Sequence, residues 1–383
     1  MNLHIMYDEK FINSFIDKYL STHINTEDIF LVISQKKAKK NIHATHQKIV
    51  TIAYSRNKFK KIINNKNIKS VYFHNFPPNI YSMFCMIPTN IIINWIFYGY
   101  EIYQTPLTLK ILDLNSLILY PKIFKEKLFI LKIFPDKLIL QLLFISEKIK
   151  FNKLKMVLKR IDFFYHWNEL DYYHIKKIYK EFNAKFVHFC YNQKLELKTF
   201  ETKNTINVIY KRKSEPLILV GNNSSITLNH LSILKYFHNF QDNNFKIICP
   251  LSYGDQAYKK ILTSYGKKLL SEKFITLDNF LNYKEYYSFI SSIDIVIMNN
   301  IRTQGATNIH IALSEGKKLF MNPLNTHYKM LLHFGFMVFS IGDFHKLSFQ
   351  EIIHPLDLEF MKINHEKAIE FEKKANLWYS FMQ

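Results

Sequence analysis

Residues suited to holding a phosphate recur in the second half of this chain, at the ends of short apolar runs. LILVGNN at residues 217–223 is the first: four apolar residues lead into Gly221, Asn222 and Asn223, then Ser224 and Ser225. Such a run reads as a buried strand entering a tight turn. Glycine admits close backbone approach, and a following helix start offers unpaired N–H groups with partial positive charge. The turn is a candidate phosphate seat; a plain strand-to-helix connection is the other reading. NNIRTQGATN at 299–308 holds Arg302, one of four arginines with Arg56, Arg160 and Arg212, just before an expected helix start at Ala306. A guanidinium beside a helix N-terminus can hold a diphosphate. Gln304 and Asn308 add hydrogen-bonding amides, and Gly305 lets a ligand near the backbone. Tyr253, before Gly254, offers a ring to stack on a base or cap a sugar.

The first half holds two more candidates. Glu101 follows Gly99 within NWIFYGYEIY at 94–103. Burial among aromatic rings raises a carboxylate's pKa towards the working range, so Glu101 is a candidate general base, with a solvated glutamate as the alternative. His74 ends SVYFH at 70–74, ahead of NFPPN. It is either a substrate-binding group facing the same cleft or a hydrogen-bonded structural histidine. No DxD, HExxH or Cys/His cluster occurs, so no metal is expected. Gly221 lacks both a GxGxxG series and a Walker lysine, which argues against a dinucleotide or ATP and leaves no cofactor expected.

These residues need elements to position them. In the second half, apolar runs at 217–220, 245–249, 274–276, 294–298, 318–321 and 336–340 alternate with helical stretches at 226–240, 255–270, 282–292, 306–315 and 326–334. That is the pattern of a doubly wound parallel sheet, whose ligands bind beyond the carboxyl ends of the strands. Those ends fall at 221–224, 250–254, 299–305 and 322–325, and all four, Asn322 included, are rich in Gly, Asn, Ser or Gln. In the first half, strands are expected at 3–6, 30–34, 70–74 and 91–95, with a helix at 10–19. Residues 105–165 differ: Leu, Ile and Phe stand beside many lysines, and Pro106, Pro121 and Pro135 divide them into helices. Such helices suit either an anionic membrane surface or an ordinary core with solvated lysines. A linker near 196–213 divides a first domain at 1–200 from a second at 201–383.

The chain has 383 residues, enough for two domains, and 52 Lys+Arg against 31 Asp+Glu, a net charge of +21. That excess points to an anionic partner: nucleic acid, anionic lipid or a phosphorylated substrate. The scarcity of arginine, the residue of bidentate base contacts, speaks against a nucleic-acid reader. The basic cluster KKAKK at 36–40 reads as a solvated loop or an anion site. Cys85, Cys190 and Cys249 are far apart, without disulfide or metal spacing, which suits a reducing compartment. The N-terminus lacks a signal peptide's apolar core and no run is long enough to span a bilayer, so the chain is expected in the cytoplasm.

LVGNNSS…NH at 219–230, CPLSYGDQAY at 249–258 and RTQGATN…GKKLFMN at 302–322 resemble the bacterial TDP-N-acetylfucosamine:lipid II N-acetylfucosaminyltransferases. YFHNFPPNIY at 72–81 and W..YG.EIY at 95–103 are similar to that family's FHG and WxxWGxDLY patterns. Two positions depart from it: Asn75 stands where the family has glycine, and Glu101 where it has aspartate. The resemblance implies an α/β GT-B fold, two Rossmann-like domains facing across a cleft, with the donor held by the second. It implies a TDP-sugar donor and a lipid-linked saccharide acceptor in surface polysaccharide synthesis (enterobacterial common antigen, O-antigen or capsule-like). It also implies metal-independent transfer at the inner face of the plasma membrane, with no nucleic acid bound. A CDP-dependent glycerol phosphate polymer transferase and a basic nucleic-acid-binding protein are the alternatives.

Overall fold

The computed structural model describes residues 1–9, 11–23, 26–34, 41, 43–65, 67–76, 80–103, 107–191 and 215–378. The cluster at 36–40 and the expected linker at 196–213 lie outside the described residues. The chain forms two compact units, one of Met1–Pro106, Ser146–Lys194 and Lys373–Gln383, the other of Leu107–Ile145 and Leu195–Glu372. The lysine-rich residues 107–145, grouped by sequence with the first domain, thus belong with the second unit. The physical reason is packing: Leu119 and Ile123, on the helix Leu114–Lys127, are buried in the same apolar cluster as Ile218, Val220 and Ile247.

The first unit carries β1 (Asn2–Met6), β2 (Ile29–Ser34), β3 (Ile49–Ala53), β4 (Ser70–His74), β5 (Ile92–Ile96), β6 (Phe163–His166) and β7 (Lys185–His188). They form one parallel sheet in the order β3-β2-β1-β4-β5-β6-β7. The second carries β8 (Leu217–Val220), β9 (Lys246–Pro250), β10 (Phe274–Leu277), β11 (Ile295–Met298), β12 (Lys318–Met321) and β13 (Phe339–Ser340), parallel in the order β10-β9-β8-β11-β12-β13. Both sheets grow outward from their first strand, then return to its other side. The strand order therefore reverses between β1 and β4 and between β8 and β11, where such sheets take ligands. Strand β11 (IVIM) is buried at every position, as a parallel strand covered on both faces must be.

The expected strands of the second half all form. Their helices start where the sequence supplies caps: Asp255 accepts from the amides of Ala257 and Tyr258, and Asn282 with Glu285 closes a capping box. One helix differs. In place of a helix over 226–240, a 3-10 turn at Ile226–Leu228 runs into Asn229, which is left-handed (φ 51°), and the helix is His230–His238. Asn229 breaks the helix because its amide is used elsewhere. Its Oδ1 accepts from Asp113 N (3.0 Å), and its Nδ2 donates to Ile111 O and Asn299 O, both at 3.1 Å. Strands β3, β6 and β7 were not expected. β6 is FFYH and β7 KFVH, without the Val/Ile run or clean alternation that marks a strand in sequence.

Asn229→Gly keeps the left-handed backbone but removes three buried hydrogen bonds, so it should lower unfolding free energy by about 1–3 kcal/mol. Asn229→Ala adds about 1–2 kcal/mol of left-handed strain. Denaturant titration of the two variants measures the difference.

Candidate active site

The carboxyl edge of the second sheet is closed by its own loops. The loop after β8 is joined to that after β9: Ser224 N donates to Tyr253 O (2.9 Å), Asp255 N donates to Ser224 O (2.9 Å), and Ser224 bridges Gly254. On the other side, Gly305 seats the loop after β11 against the loop after β8. A Cβ there would lie 2.6 Å from Met298 Cε and 3.2 Å from Asn222 Cγ, and Gly305 has φ +70°. Only glycine meets both demands at low cost. Gly221 (φ +71°) is constrained in the same way: a Cβ would stand 2.4 Å from His230 Nε2. His230 is fully enclosed, and burial holds its imidazole down at about 3, so the ring beneath Gly221 is neutral.

Side-chain amides continue the closure. Gln304 Nε2 donates to Asn222 Oδ1 (3.3 Å) and Asn223 Oδ1 (3.2 Å), and its Oε1 accepts from Thr227 Oγ1 at 3.1 Å. Arg302 Nε donates to that same Thr227 hydroxyl (3.3 Å), and Nη1 to Thr303 O (3.3 Å). Asn222 Nδ2 donates to the hydroxyl of Tyr253 at 3.3 Å, while the Tyr253 side remains 44% exposed. Asn325 Nδ2 donates to Asn300 O (2.7 Å) and Arg302 O (3.2 Å), and Asn300 Nδ2 to Arg302 O (2.7 Å), so the arginine's backbone is held twice. Asn322 Nδ2 donates to Asn299 Oδ1 (3.0 Å). Asn308 lies in the first turn of the next helix and donates to the hydroxyl of Tyr286 (2.7 Å).

Of the nine residues proposed from sequence in this half, eight, Gly221, Asn222, Asn223, Tyr253, Arg302, Gln304, Gly305 and Asn322, stand on one strand-end rim. Asn308 lies just behind it. Thr227, Asn229, Asn300 and Asn325, which tie the rim together, were not singled out. Their signal was the density of Asn and Thr at strand ends. Across the loops 221–225, 251–255, 299–305 and 322–325, Arg302 is the one cation and Asp255 the one carboxylate, and Asp255 is engaged by the amides of Ala257 and Tyr258 and by Lys127. The helix Ala306–Ser314 begins there with Gly305 as cap and no side-chain cap bond. Its first-turn amides have no intrahelical acceptors, and they point their partial positive charge to the side where Arg302 lies. Neutral amides, one guanidinium and a helix start form a seat for an anion.

The first unit encloses its two candidates more deeply. Glu101 is fully buried. Its Oε1 accepts from Tyr98 N (2.9 Å) and Trp95 Nε1 (3.4 Å), and its Oε2 from Tyr100 N (3.0 Å). Burial pushes this carboxyl up to about 7 against the pull of those N–H donors, which favour the charged form. The value is in the range sought for a base, but both oxygens are turned into the residue's own loop. His74 ends β4 as expected and is fully buried, with Nε2 3.0 Å from His4 Nδ1 and Nδ1 against the Tyr191 hydroxyl. Burial, helped by His4, holds His74 well below the usual imidazole range, so it is neutral. Asn75 has φ +79° and donates to the Tyr100 hydroxyl. The position is left-handed, a conformation that asparagine tolerates better than most residues. Among the described residues no group of three or more His, Cys, Asp and Glu gathers as a metal site.

Two doubly wound parallel sheets make this a GT-B fold, and solved structures agree. The N-terminal domain of Candida albicans trehalose-6-phosphate phosphatase is similar with a TM-score of 0.60 at 10% identity, covering 99% of this chain and 94% of that one. A Rickettsia africae glycosyltransferase gives 0.56 at 12% identity, with 98% and 97% covered. A UDP-forming trehalose-phosphate synthase from Burkholderia xenovorans gives 0.57 at 6%, with 99% and 98% covered. Comparison with curated proteins gives no match.

The chain is a glycosyltransferase of GT-B type. It belongs to the family of 4-alpha-L-fucosyltransferases, glycosyl transferase group 56, whose model matches residues 140–367. The match takes in every motif of the second half; the first-half motifs at 72–81 and 95–103 lie outside it.

A carboxyl held above its ordinary value keeps its proton more readily in the fold. Its contribution to stability is therefore full below the ordinary carboxylate range and is lost as pH rises to about 7. Denaturant midpoints taken from about pH 4 to about pH 8 should fall for the wild type, and Glu101→Gln should remove that part of the slope.

Proposed function

We propose that this glycosyltransferase moves a deoxyamino sugar of N-acetylfucosamine type from a TDP-sugar to a polyprenyl-diphosphate-linked glycan, in surface polysaccharide synthesis. The observation that carries the donor half is the rim of the second sheet. Arg302, the first-turn amides of Ala306–Ser314 and the Gly221–Asn223 turn converge at the strand-order reversal. Charge builds on a diphosphate as the sugar leaves it. Donors already fixed in place stabilise that charge without reorganising. Here the guanidinium and helix amides are assigned that work. Asn222, Asn223 and Gln304 shape the turn, and Gly221 and Gly305 let the phosphates approach. The exposed ring of Tyr253 is assigned to the base or sugar, with Asn322 supporting the rim through Asn299.

The first unit is assigned the acceptor. His74 and Glu101 shape its strand-end edge: Glu101 by closing the loop over residues 98–101, His74 through Tyr191. This moves Glu101 from the role of base to that of a loop-shaping residue, because its oxygens are already engaged. The lipid end of the acceptor is matched by the surface of the second unit's lysine-rich helices. Leu114, Ile118, Leu128, Ile133 and Leu142 are each at least half exposed there, among Lys110, Lys125, Lys127, Lys132 and Lys137. No described helix is long and apolar enough to cross a membrane. A peripheral position at the inner face of the plasma membrane fits these features.

Isothermal titration with TDP and CDP tests the donor: binding of TDP with clear preference is expected, and preference for CDP would favour a glycerol phosphate polymer transferase instead. Arg302→Ala should lower kcat by about 10²–10³-fold while leaving the circular dichroism spectrum unchanged; full activity would remove Arg302 from the site. Ile118→Glu together with Ile133→Glu should weaken sedimentation with anionic vesicles without loss of TDP affinity. Equal sedimentation of wild type and variant would remove the membrane surface from this reading.

A further inference from the structure

Strand β6 ends on a histidine–aspartate pair that no motif pointed to. His166 is its last residue. Asn168 then caps the helix Glu169–Ile178 by accepting from Leu170 N at 3.2 Å, which sets Asp171 in the first turn, folded back onto the strand end. His166 Nε2 lies 2.8 Å from Asp171 Oδ2, and the two side chains are 3% and 6% exposed. An ionised carboxylate only accepts, so the ring donates Nε2–H to it. In a neutral imidazole the lone pair then falls to Nδ1. Among the described residues Nδ1 makes no hydrogen bond, and it is not one of the sealed, unpartnered nitrogens such as His4 Nε2 and His188 Nδ1.

The pair stands at the carboxyl edge beside His188, whose Nδ1 is sealed without a partner, and near Glu101 and His74, which are committed elsewhere. Glu101 has both oxygens on N–H donors, and His74 is held between His4 and Tyr191. His166 is set edge-on to Phe97 (5.1 Å between ring centroids, 73°), the residue that opens the loop closed by Glu101. β5 and β6 are adjacent and in register over Asn94–Phe163, Trp95–Phe164 and Ile96–Tyr165, so that loop and His166 leave the sheet side by side.

We propose that His166 is the general base of the transfer and that Asp171 is its positioning residue. The proposal rests on the assignment of the acceptor to the first unit. Nδ1 takes the proton of the acceptor hydroxyl while that oxygen bonds to C1 of the donor sugar. The bond between C1 and the phosphate oxygen breaks, and its electron pair leaves on the nucleoside diphosphate. Asp171 holds the imidazole in the tautomer with Nδ1 unprotonated and stabilises the imidazolium that forms, which then returns its proton to water.

The test uses the full chain with lipid-linked acceptor and the nucleotide sugar that the wild type consumes. A wrong donor therefore shows in the wild type, and a wrong base only in the variants. His166→Ala should lose about 10²–10⁴-fold in kcat with the donor KM unchanged, and added imidazole should restore turnover in proportion to its concentration. Asp171→Asn keeps the ring but loses the fixed tautomer. It should lose at least tenfold in kcat and gain nothing from imidazole. Activity of His166→Ala within threefold of wild type overturns the proposal. So does a folded His166→Ala with intact donor KM that imidazole fails to rescue, since that marks a structural pair. Should His166→Ala not fold, Asp171→Asn decides alone: activity within threefold of wild type rejects the proposal.

Discussion

The packing of the β8 and β11 loops against each other, made possible by the missing side chain of Gly305, is the contact on which the second unit's site depends. A parallel sheet exposes a row of carboxyl ends, and the reversal of strand order leaves a crevice between two of them. What lines that crevice is decided by how close the two loops come. A Cβ at 305 would stand 2.6 Å from Met298 Cε and 3.2 Å from Asn222 Cγ, so the Met298 side chain must swing away and the Asn222 side must yield, and where Asn222 yields the two loops are parted. Parted, Gln304 loses Asn222 and Asn223, and Arg302 loses the Thr227 hydroxyl that Gln304 shares. The guanidinium is thus placed by a backbone requirement several bonds away from it.

The composition of the rim follows from the same closeness. Buried polar groups brought together at low dielectric must each be satisfied, and carboxylates there would pair with Arg302 and cancel its charge. Asparagine, glutamine and threonine both donate and accept, so they can satisfy one another and leave the field of the arginine and the helix start uncancelled. Asn229 shows how far this goes: it gives up helical backbone to bond Asp113, Ile111 and Asn299 at once. The segment 107–145, which supplies two of these partners, is drawn into the second unit by the same amide and by Leu119 and Ile123 beneath it.

The second half was readable in the sequence because its signals are local. LILV, KIICP, IVIM and KLFM are continuous apolar runs, and each is followed at once by turn residues, so strand, strand end and rim come from one short stretch. Arg302 was visible because arginine is scarce. Legibility failed where the cause lies far along the chain. The helix expected at 226 is broken by an asparagine whose partners are at 111, 113 and 299. The membership of 107–145 depends on contacts with residues a hundred positions later. Glu101 was found by its neighbours, but the direction of its oxygens depends on how the loop folds back, which residue types do not state. His166 and Asp171 are five residues apart in an aromatic segment with no strand pattern, so the pairing appears only once β6 and the cap at Asn168 exist.

In the proposed reading the two sheet edges meet opposite electrostatic needs. A departing diphosphate needs positive charge that is already present and does not move, which suits a rim whose one carboxylate, Asp255, is engaged by its own helix and Lys127 and whose guanidinium is pinned through its backbone. An attacking hydroxyl needs an acceptor that is neutral beforehand and charged only during transfer. A buried imidazole meets that need only if a fixed negative group shares its other nitrogen. The first unit buries the carboxyls of Glu101 and Asp171, Glu101 on amides and Asp171 on an imidazole, and keeps His4 and His74 neutral by burial.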